Sequence, residues 1–514
     1  MIQVSDAWKD IQQRFLLSES YVEIDCTITE VGAQERASVS GTDEAKFSDV
    51  TSVLGLSSRS TPTKYATNEL NLWALDGSHT ILPISAPYGD VGYVSDIAST
   101  GSVTLTFPEV RTVTVPGVTI TWSDKYGEYP RVFSVVAKNG DTVVAETTIT
   151  DNTNRTSTVF LEMRDYNSIT ITVYDWMLPY RRTRIEKVVV GHVLTLGKKD
   201  ILSYTHEQYG DLLSGEIPKN SIEFTLDNID GRWNPNNPVG MEQYLSERQK
   251  LTVRYGLDVN GTIEWIKAGT FYLSEWDAPS NGLEARFVAR DSFEFLLGVE
   301  MWSATYNSLS GMVANAVRYL IPDGTAVVYD SALPNYSLEY SPSYSDNVVD
   351  TAAEQVQKCA NAAGAILRYD RDGVLHVEKL NRELSEYMIP LSLSYSYPQI
   401  TLSKPLKEVD IDYGGESSYV LRDIATEGER QTLTNNYIKD AENAAVVAEW
   451  VASVLKNRKT VSGEFRADPR LDLFDVVTVE SKYGNLTPVV ITNIKYTFNG
   501  SFHGSYTGRI LEGA

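Results

Sequence analysis

Short stretches of alternating apolar and polar residues run along most of the chain, separated by Gly, Asn, Asp and Pro. A period of two is typical of half-buried β-strands. The clearest case lies near the C-terminal end, where the pattern runs through 489–498 and again through 502–510. Asn499 and Gly500 separate these runs, and an Asn-Gly pair favours a β-hairpin with a type I′ turn. The pattern predicts a mainly β protein.

Three segments carry a helical pattern of apolar residues instead, at 311–320, 350–364 and 441–456. In the middle segment, Thr351 and Glu354 have the spacing of a capping box, which marks a helix start. Residues 93–191 differ again, because they are dense in Val, Thr, Ile and aromatic residues and show no helical pattern. This composition predicts a β-sandwich followed by a mixed αβ region.

Composition narrows the functional classes. The chain has 514 residues with 45 basic and 68 acidic side chains, so its formal net charge is −23. Such acidity argues against a nucleic-acid binder, since phosphate affinity depends on clustered Lys and Arg. We find no apolar run near the roughly 20 residues of a membrane span, and no signal-peptide pattern at the start. We therefore expect a protein that folds where it is made, with roughly three to five domains.

Candidate chemistry is sparse. The chain has five histidines, and none belongs to a recognisable Ser-His-Asp, zinc or nucleotide motif. The two cysteines, Cys26 and Cys359, are too few for a disulfide scaffold. We therefore expect no cofactor. One pair of carboxylates, Asp124 and Glu128, lies among aromatic residues and is a candidate for glycoside hydrolysis, the alternative being a polar loop between strands.

Two other groups are candidate binding residues. Asp227, Asp230 and Asn234 lie in an oxygen-rich loop that suits calcium, although Asx turns explain the same residues more simply. In the sandwich segment, aromatic and Arg side chains suit a glycan site on the rim, because flat rings stack on sugars and Arg binds their hydroxyls. About half of these rings are expected in the core. The glycan candidates are Trp122, Tyr126, Tyr129, Trp176, Tyr180, Arg164 and Arg181.

The second half of the chain carries a series of short motifs in a fixed order. They are a strand ending in Leu-Asp-Asn at 221–228, a Gly-x-Phe-Tyr strand at 269–273 and an Ala-x-Asp strand end at 289–291. The series continues with the strand and turn at 365–373 and with the segment 468–477. Together these motifs resemble the tail or baseplate hub proteins of tailed bacteriophages, over roughly residues 193–514.

One position departs from the family's pattern, because Phe474 stands where glycine is usual. The segments 65–69 and 75–78 also resemble the start of such tail proteins. Residues 118–191 are similar to a carbohydrate-binding jelly roll inserted in them.

The resemblance implies a mainly β, multidomain architecture with a jelly-roll sandwich, a hub domain of two tube-like β-barrels and an α+β insertion. The predicted parts are an N-terminal β segment with an extended connection (1–84), the sandwich (85–192), the first barrel (193–304), the α+β subdomain (305–398) and the second barrel with one helix (399–514).

The resemblance also implies a structural, non-enzymatic protein of the virion tail tip, assembled in the host cytoplasm. We expect a homotrimer that continues or closes the tail tube and contacts the distal tail protein, the tape-measure protein and receptor-binding proteins or fibres. DNA would pass through during ejection without specific binding, and the sandwich would attach to a host-surface glycan. The alternatives are a glycan-cleaving tail enzyme and a stand-alone bacterial lectin-like surface protein.

Overall fold

The computed structural model divides the chain into two compact units. Unit 1 comprises residues 1–25, 195–240 and 250–514, and unit 2 comprises residues 26–194 and 241–249. The structure describes residues 2–14, 19–28, 36–41, 48–54, 65–67, 69–74, 76–81, 90–91, 93–94, 101–123, 126–234, 236–237, 245, 247–278, 282–302, 308–321, 327–330, 332–333, 349–385, 387–413 and 417–511.

Four α-helices lie in the described part of the chain: α1 (Asp6–Gln13), α2 (Leu309–Leu320), α3 (Ala352–Ala362) and α4 (Ala441–Leu455). The last three confirm the helical patterns, and Thr351 and Glu354 form the predicted capping box at the start of α3. The sequence analysis missed α1, which Ser5 caps and which buries Trp8 and Ile11. Among the described residues, no helix combines the length and apolar content of a membrane span.

Strands make up most of the described elements. Those that precede the mixed region are β1 (Ser20–Ile28), β2 (Ser38–Gly41), β3 (Ser48–Asp49), β4 (Tyr65–Ala66), β5 (Thr80–Ile81), β6 (Asp90–Val91), β7 (Tyr93–Val94), β8 (Gly101–Arg111), β9 (Val115–Thr121), β10 (Pro130–Asn139), β11 (Thr142–Ile149), β12 (Thr156–Met163), β13 (Tyr166–Trp176), β14 (Arg184–Ile185) and β15 (Lys187–Val190).

The remaining strands build most of unit 1. They are β16 (His192–Leu196), β17 (Ile201–Tyr209), β18 (Lys219–Asp227), β19 (Lys250–Val259), β20 (Thr262–Asp277), β21 (Glu284–Arg290), β22 (Glu300–Trp302), β23 (Val327–Tyr329), β24 (Val349–Thr351), β25 (Ile366–Tyr369), β26 (Leu375–Glu378), β27 (Met388–Ile389), β28 (Gln399–Leu402), β29 (Leu406–Tyr413), β30 (Ser417–Leu421), β31 (Glu429–Thr434), β32 (Lys459–Phe465), β33 (Val476–Glu480), β34 (Leu486–Phe498) and β35 (Phe502–Ile510). The expected mainly β, multidomain architecture is confirmed.

One sheet of thirteen strands dominates unit 1, in the order β16-β1-β19-β20-β21-β18-β17-β34-β35-β32-β28, with β33 and β27 attached beside β34. Of the first seven strands, six lie in or at the edge of the range expected for the first barrel (193–304), whereas β1 comes from the expected N-terminal segment (1–84). The other strands lie in the range expected for the second barrel (399–514), except β27, which precedes it. The two groups meet where β17 pairs antiparallel with β34, from Tyr204 opposite Phe498 to Tyr209 opposite Asn493, so they form one continuous sheet.

Residues 388–402 contact both outer strands of the second strand group. At the start of this segment, β27 pairs in parallel with β33. At its end, β28 pairs antiparallel with β32. Between them, Tyr395 donates a backbone hydrogen bond to Glu464 at 2.9 Å. Residues 388–402 thus join the outer strands β33 and β32 of this group.

The hairpin predicted at Asn499-Gly500 is confirmed, but its turn is not the predicted one. Phe498 pairs directly with Phe502, so three residues form the connection instead of two. Gly500 has a positive φ of 109°, whereas Asn499 is not among the residues with positive φ. A type I′ turn needs positive φ at both central residues, so this three-residue connection is not a type I′ turn.

An α+β region of unit 1 packs α2, α3 and α4 against two small sheets, β23-β26-β25 and β30-β29-β31. Its core includes Met312, Val356, Val409 and Ala448, all fully buried. Burial of these apolar side chains is the main source of stability for such a layer.

Unit 2 is a β-sandwich, as predicted. A five-stranded sheet in the order β11-β10-β13-β8-β2 and a three-stranded sheet in the order β12-β9-β15 enclose a common core. Inward-facing residues alternate with outward ones, as in β13, where Ile169, Ile171 and Val173 are buried.

Candidate functional site

A buried arginine connects both strand groups of the large sheet. Arg371, in the turn between β25 and β26, has a side chain that is only 7% exposed. Its Nε donates to Asp472 at 2.8 Å, and its two Nη groups donate to the main-chain oxygens of Lys267 at 2.9 Å, Pro469 at 2.7 Å and Leu471 at 3.0 Å. A guanidinium satisfied in this way holds several backbone segments in fixed positions. We call these five residues the joint.

Two of the motifs of the sequence analysis meet at the joint. The turn at 370–373 supplies Arg371, and the segment 468–477 supplies its carboxylate and two of its three carbonyl partners. The motif strands at 221–227, 269–273 and 289–290 belong to β18, β20 and β21, which are neighbours in the sheet. Segments far apart in sequence therefore converge on one buried region.

Phe474 explains the departure from the usual glycine. Its φ is +67°, in the left-handed region that glycine adopts most easily. The ring is buried and lies so close to Gly210 that a Cβ there would be 2.5 Å from the Phe474 Cζ. The left-handed conformation costs about 1–2 kcal/mol for a residue with a Cβ, and burial of the ring offsets it.

A chain of buried hydrogen bonds lies inside the same sheet. The hydroxyl groups of Tyr204 and Tyr255 are 2.9 Å apart, and the Tyr255 hydroxyl is 2.6 Å from Nδ1 of His206. His206 Nε2 lies 2.8 Å from the Asn220 side-chain oxygen. Burial lowers the pKa of His206 to about 4, so the ring is neutral at neutral pH. We regard this chain as structural, because its ring nitrogens and hydroxyls bond to one another.

Exposed apolar side chains lie along residues 384–402 and at the connection between β33 and β34. Tyr395 stacks on His503 with ring centroids 4.5 Å apart, and the Lys482 ammonium lies 5.1 Å from the centre of the Tyr397 ring. Exposed clusters of this kind are typical of interaction surfaces. We call it the apolar end, formed by Leu384, Met388, Tyr395, Tyr397, Ile400, Leu402, Tyr483 and Leu486.

In unit 2, both candidate tryptophans are buried in the sandwich core. Trp122 donates its indole N–H to Ser157 at 2.7 Å, and Trp176 donates to the Glu128 carboxylate at 2.8 Å. Their rings also contact each other edge to face, 6.4 Å apart. Neither ring offers a surface on which a sugar could stack, so neither tryptophan remains a candidate glycan-binding residue.

The candidate catalytic residue Glu128 is also buried. Besides Trp176, it faces the Arg181 guanidinium at 3.4 Å, and Arg181 donates to the main chain of Asn71 at 3.3 Å. A carboxylate held by these partners has a structural role at the sandwich rim. Asp124, its proposed catalytic partner, lies outside the described residues.

A segment that precedes the sandwich covers part of its rim. Glu69 is buried and accepts from both Nη groups of Arg184, at 2.8 and 2.6 Å, and from the backbone of Arg182 at 2.7 Å. Arg184 in turn lies 4.7 Å from the centre of the Tyr126 ring. This bidentate pair fixes the segment on the sandwich.

Two aromatic residues that the sequence analysis did not single out join Tyr126 at this rim. Trp73 and His79 are 4.8 Å apart, and Trp73 meets Tyr126 edge to face at 6.2 Å. The backbone of Leu70 donates to the Tyr180 carbonyl at 3.3 Å. We call Trp73, His79, Tyr126 and Tyr180 the rim cluster. Trp73 and His79 become candidates only through the contact of Trp73 with Tyr126, which their spacing in the sequence does not reveal.

The remaining glycan candidates differ in exposure and position. Tyr180 is 68% exposed and has a positive φ of 56°, whereas Tyr129 is half-buried. Arg164 is exposed beside Asp165, just before β13, while Tyr180 follows β13. That strand has 11 residues, which at about 3.3 Å per residue separates its ends by more than 30 Å. Arg164 and Tyr180 therefore do not share one site.

The oxygen-rich loop is an Asx-turn structure. Asp227, Asp230 and Asn234 each accept a backbone hydrogen bond from the residue two positions later, at 3.0, 3.0 and 2.9 Å. Arg232 lies 2.8 Å from Asp200 and 3.7 Å from Asp230, where it supplies the positive charge that a cation would bring. Across the described ranges, no three acidic, His or Cys side chains are grouped to hold a metal ion.

No family model and no curated protein matches this sequence. Several solved structures are similar to part of it. The 43 kDa tail protein of prophage MuSo2 from Shewanella oneidensis has 13% identity and a TM-score of 0.43, over 62% of this chain and 95% of that one. The tail protein from Neisseria meningitidis MC58 has 15% identity and a TM-score of 0.43, over 61% and 93%.

A third similar structure comes from a secretion apparatus. It is an E. coli protein described as a component of the type VI secretion system with structural similarity to two T4 bacteriophage tail proteins. It has 11% identity and a TM-score of 0.39, over 61% of this chain and 74% of that one.

Proposed function

We propose that this protein is a structural component of a bacteriophage tail tip, acting as a baseplate hub. The observation that carries the proposal is the continuous sheet of unit 1, in which two strand groups meet at β17 and β34. Such a sheet suits a protein that lines a passage with two strand groups per copy. Three copies would then present six strand groups around the passage, which is the trimer that the motif resemblance implies.

The net charge of the protein agrees with this role. With a net charge of −23, the protein offers DNA no general counterion-release affinity that would hold it in the passage. Its partners would be the distal tail protein, the tape-measure protein and receptor-binding proteins or fibres. The apolar end supplies a surface suited to such protein contacts.

Immunogold electron microscopy tests the tail-tip role. Antibody against the purified chain, applied to tailed particles from an induced culture of its source, should label the tip of the tail. Labelling confined to the capsid, or to the bacterial envelope of cells that hold no particles, would contradict the role.

We also propose that the rim cluster attaches the tail tip to a host-surface glycan without cleaving it. Tyr180 offers an exposed ring, and Trp73 and Tyr126 lie at the same rim with Arg184 close by. Flat rings with nearby hydrogen-bond donors suit sugar binding. Glu128 is engaged by Trp176 and Arg181, which favours binding over hydrolysis.

A pair of tyrosine variants tests the glycan proposal. Tyr180→Ala should weaken retention on a glycan microarray by roughly fivefold, in line with the value of about 1 kcal/mol for an aromatic contact. Tyr174→Ala is the matched control, because Tyr174 is also exposed but lies on β13 outside the rim cluster. Equal effects of both variants, or no retention of the wild-type chain on any glycan, would contradict the proposal.

A further inference from the structure

The sequence contains four Asn-Gly pairs. Three of them lie at β-hairpin turns of the described residues: Asn139-Gly140 between β10 and β11, Asn260-Gly261 between β19 and β20, and Asn499-Gly500 between β34 and β35. Both residues of each of these pairs are exposed. The fourth pair, Asn281-Gly282, begins with a residue that lies outside the described ranges. Turns that share one residue pair differ in how the pair is held.

An Asn-Gly pair can lose its side-chain amide without an enzyme. The main-chain nitrogen of the glycine gives up its proton and attacks Cγ of the asparagine. The new C–N bond closes a succinimide ring, and the side-chain amide leaves as ammonia. Water then opens the ring at either carbonyl, which leaves aspartate or isoaspartate. Glycine favours the reaction because it has no side chain that would hinder the attack or restrict the backbone.

In two of the three hairpins, a hydrogen bond holds the glycine nitrogen. The Gly140 N–H donates to the Asn167 side-chain oxygen at 3.0 Å, and the Gly261 N–H donates to the Asp258 carboxylate at 2.6 Å. Such a bond must break before the nitrogen can attack. The carboxylate of Asp258 also disfavours removal of the proton, because a negative charge on nitrogen would face a second negative charge. Both pairs are therefore protected in the folded protein.

The third hairpin lacks this protection. Among the described residues, the Gly500 N–H donates to no acceptor, and the Asn499 side chain forms no hydrogen bond. Residues 499–501 form the whole connection, since Phe498 pairs directly with Phe502. The nitrogen of Gly500 can therefore approach Cγ of Asn499 without the loss of a hydrogen bond.

We propose that Asn499 is a site of spontaneous deamidation, selected among the three hairpin pairs by its unengaged glycine nitrogen, and that the isoaspartyl product loosens this hairpin. The inference goes beyond the proposed function and does not depend on it. Deamidation places a carboxylate at the tip of the hairpin. In the isoaspartyl form it also adds one carbon to the main chain, because the chain then runs through the side chain of residue 499.

The modified turn lies at the end of the contact between the two strand groups. Phe498 is opposite Tyr204 where β34 pairs with β17. The Phe502 ring lies 5.0 Å from the Phe498 ring and 4.9 Å from the Tyr255 ring, measured between centroids. The length of a hairpin connection determines the register of its strands. An additional main-chain carbon in this connection therefore disturbs the pairing of β34 with β35 next to this aromatic contact.

Peptide mapping by mass spectrometry tests the selection of Asn499. The folded full-length chain is incubated at physiological temperature in mildly alkaline buffer, and the deamidated fraction of each pair is followed over time. Asn499 should deamidate roughly fivefold faster than Asn139, the rate factor that corresponds to about 1 kcal/mol for one hydrogen bond. Asn260 should be the slowest, because its glycine donates to a carboxylate.

Two controls separate the fold from the local sequence. In concentrated guanidinium chloride the hydrogen bonds of the folded turns are lost, so the three pairs should deamidate at similar rates. Asn167→Ala removes the acceptor of the Gly140 N–H, so it should accelerate deamidation of Asn139 and leave the rate of Asn499 unchanged.

Three results would overturn the selection of Asn499 by its turn. The first is an equal or slower rate at Asn499 than at Asn139 in the folded chain. The second is an excess rate at Asn499 that persists in the denaturant, since the local sequence would then determine it. The third is an unchanged rate at Asn139 in the Asn167→Ala chain.

Hydrogen exchange of an aged sample tests the effect on the hairpin. The fraction that carries isoaspartate, separated by chromatography, should exchange faster in β34 and β35 than the fresh chain. Asn499→Asp is the matched control, because it carries the same charge without the additional main-chain carbon, and it should exchange like the fresh chain. Equal exchange in the isoaspartate fraction and in Asn499→Asp would overturn the loosening of the hairpin.

Discussion

The joint of unit 1 and the rim of unit 2 each contain a buried arginine paired with a carboxylate. The sequence predicts the pair of unit 1 better than the pair of unit 2. In unit 1, Arg371 and Asp472 lie in recognisable motifs, and their pairing joins those motifs. In unit 2, Glu69 and Arg184 are 115 positions apart, and nothing in their spacing predicts that they pair. A sequence motif therefore indicates where a buried charged residue lies. Where no motif is present, the partner of a buried charge becomes known only from the fold.

The largest expected effect tests the joint. Arg371→Met removes the ion pair with Asp472 and three hydrogen bonds to carbonyls, which should destabilise unit 1 by about 3–5 kcal/mol. Hydrogen exchange measured by mass spectrometry should show lost protection in β33, β34 and β26 and unchanged protection in β9, β10 and β13. Arg368→Met is the control, because Arg368 is more exposed and, among the residues that the structure describes, forms its one ion pair with Glu378. Equal effects of the two variants would contradict the role of the joint.

The corresponding change in unit 2 is Glu69→Gln. It removes the charge that holds Arg184 while keeping the side-chain shape, so unit 2 should lose about 2–3 kcal/mol. Protection should fall in β9 and β13 and remain in the large sheet. Glu146→Gln, at an exposed position of β11, should have no measurable effect. Loss of protection in both units after Glu69→Gln would show that the units do not unfold separately.

Asp291 provides a pH-dependent comparison inside unit 1. Its carboxylate accepts from the Phe293 backbone at 3.0 Å, and burial raises its pKa to about 7. Because the pKa in the folded state is above that in the unfolded state, stability falls as pH rises through about 7. Asp291→Asn keeps the cap and should stabilise unit 1 by about 1–2 kcal/mol above this pH, with a smaller gain in acid.

Chemical denaturation on both sides of neutrality measures the Asp291 effect. The control is Asp440→Asn, since Asp440 caps α4 at an exposed position and its replacement should change stability less than Asp291→Asn does above pH 7. A gain for Asp291→Asn that does not grow with pH would refute the assignment.

The smallest effect is expected at His376, which shares a polar cluster with Asp370, Glu378 and Arg368. The hydrogen bond of Nε2 to Asp370 at 2.9 Å, and then the Glu378 carboxylate 3.4 Å from Nδ1, raise the pKa of His376 to about 9. This stabilisation is complete below the unfolded pKa of about 6.5 and disappears as pH rises through 9. His376→Gln should cost under about 1 kcal/mol in mild acid and nothing in strong alkali. Denaturation curves at several pH values measure the difference in stability between His376→Gln and the wild type. A difference that does not change with pH would contradict the prediction.

Local pattern predicted most of the elements in both units. The capping box of α3, the turn before β26 and the hairpin of β34 and β35 follow from short-range residue preferences, which act within a few positions. The N-terminal helix α1 was missed because its apolar face is short, and its burial of Trp8 depends on distant strands.

The candidate site was predicted less well, for a physical reason that is visible in β13. Strict alternation from the buried Val173 places Trp176 outward, on the exposed side. The register of β10 and β13 shifts around Val132 and Phe133, so Tyr174 stays outward while Trp176 turns into the core. A β-bulge of this kind reverses the face of the residues that follow, and the sequence gives no local sign of it.

The most direct test of the account is electron microscopy of the purified full-length chain, under conditions in which sedimentation reports assembly. The account predicts closed rings of three copies around a central passage. Two-fold dimers without a passage, or single copies throughout, would contradict it.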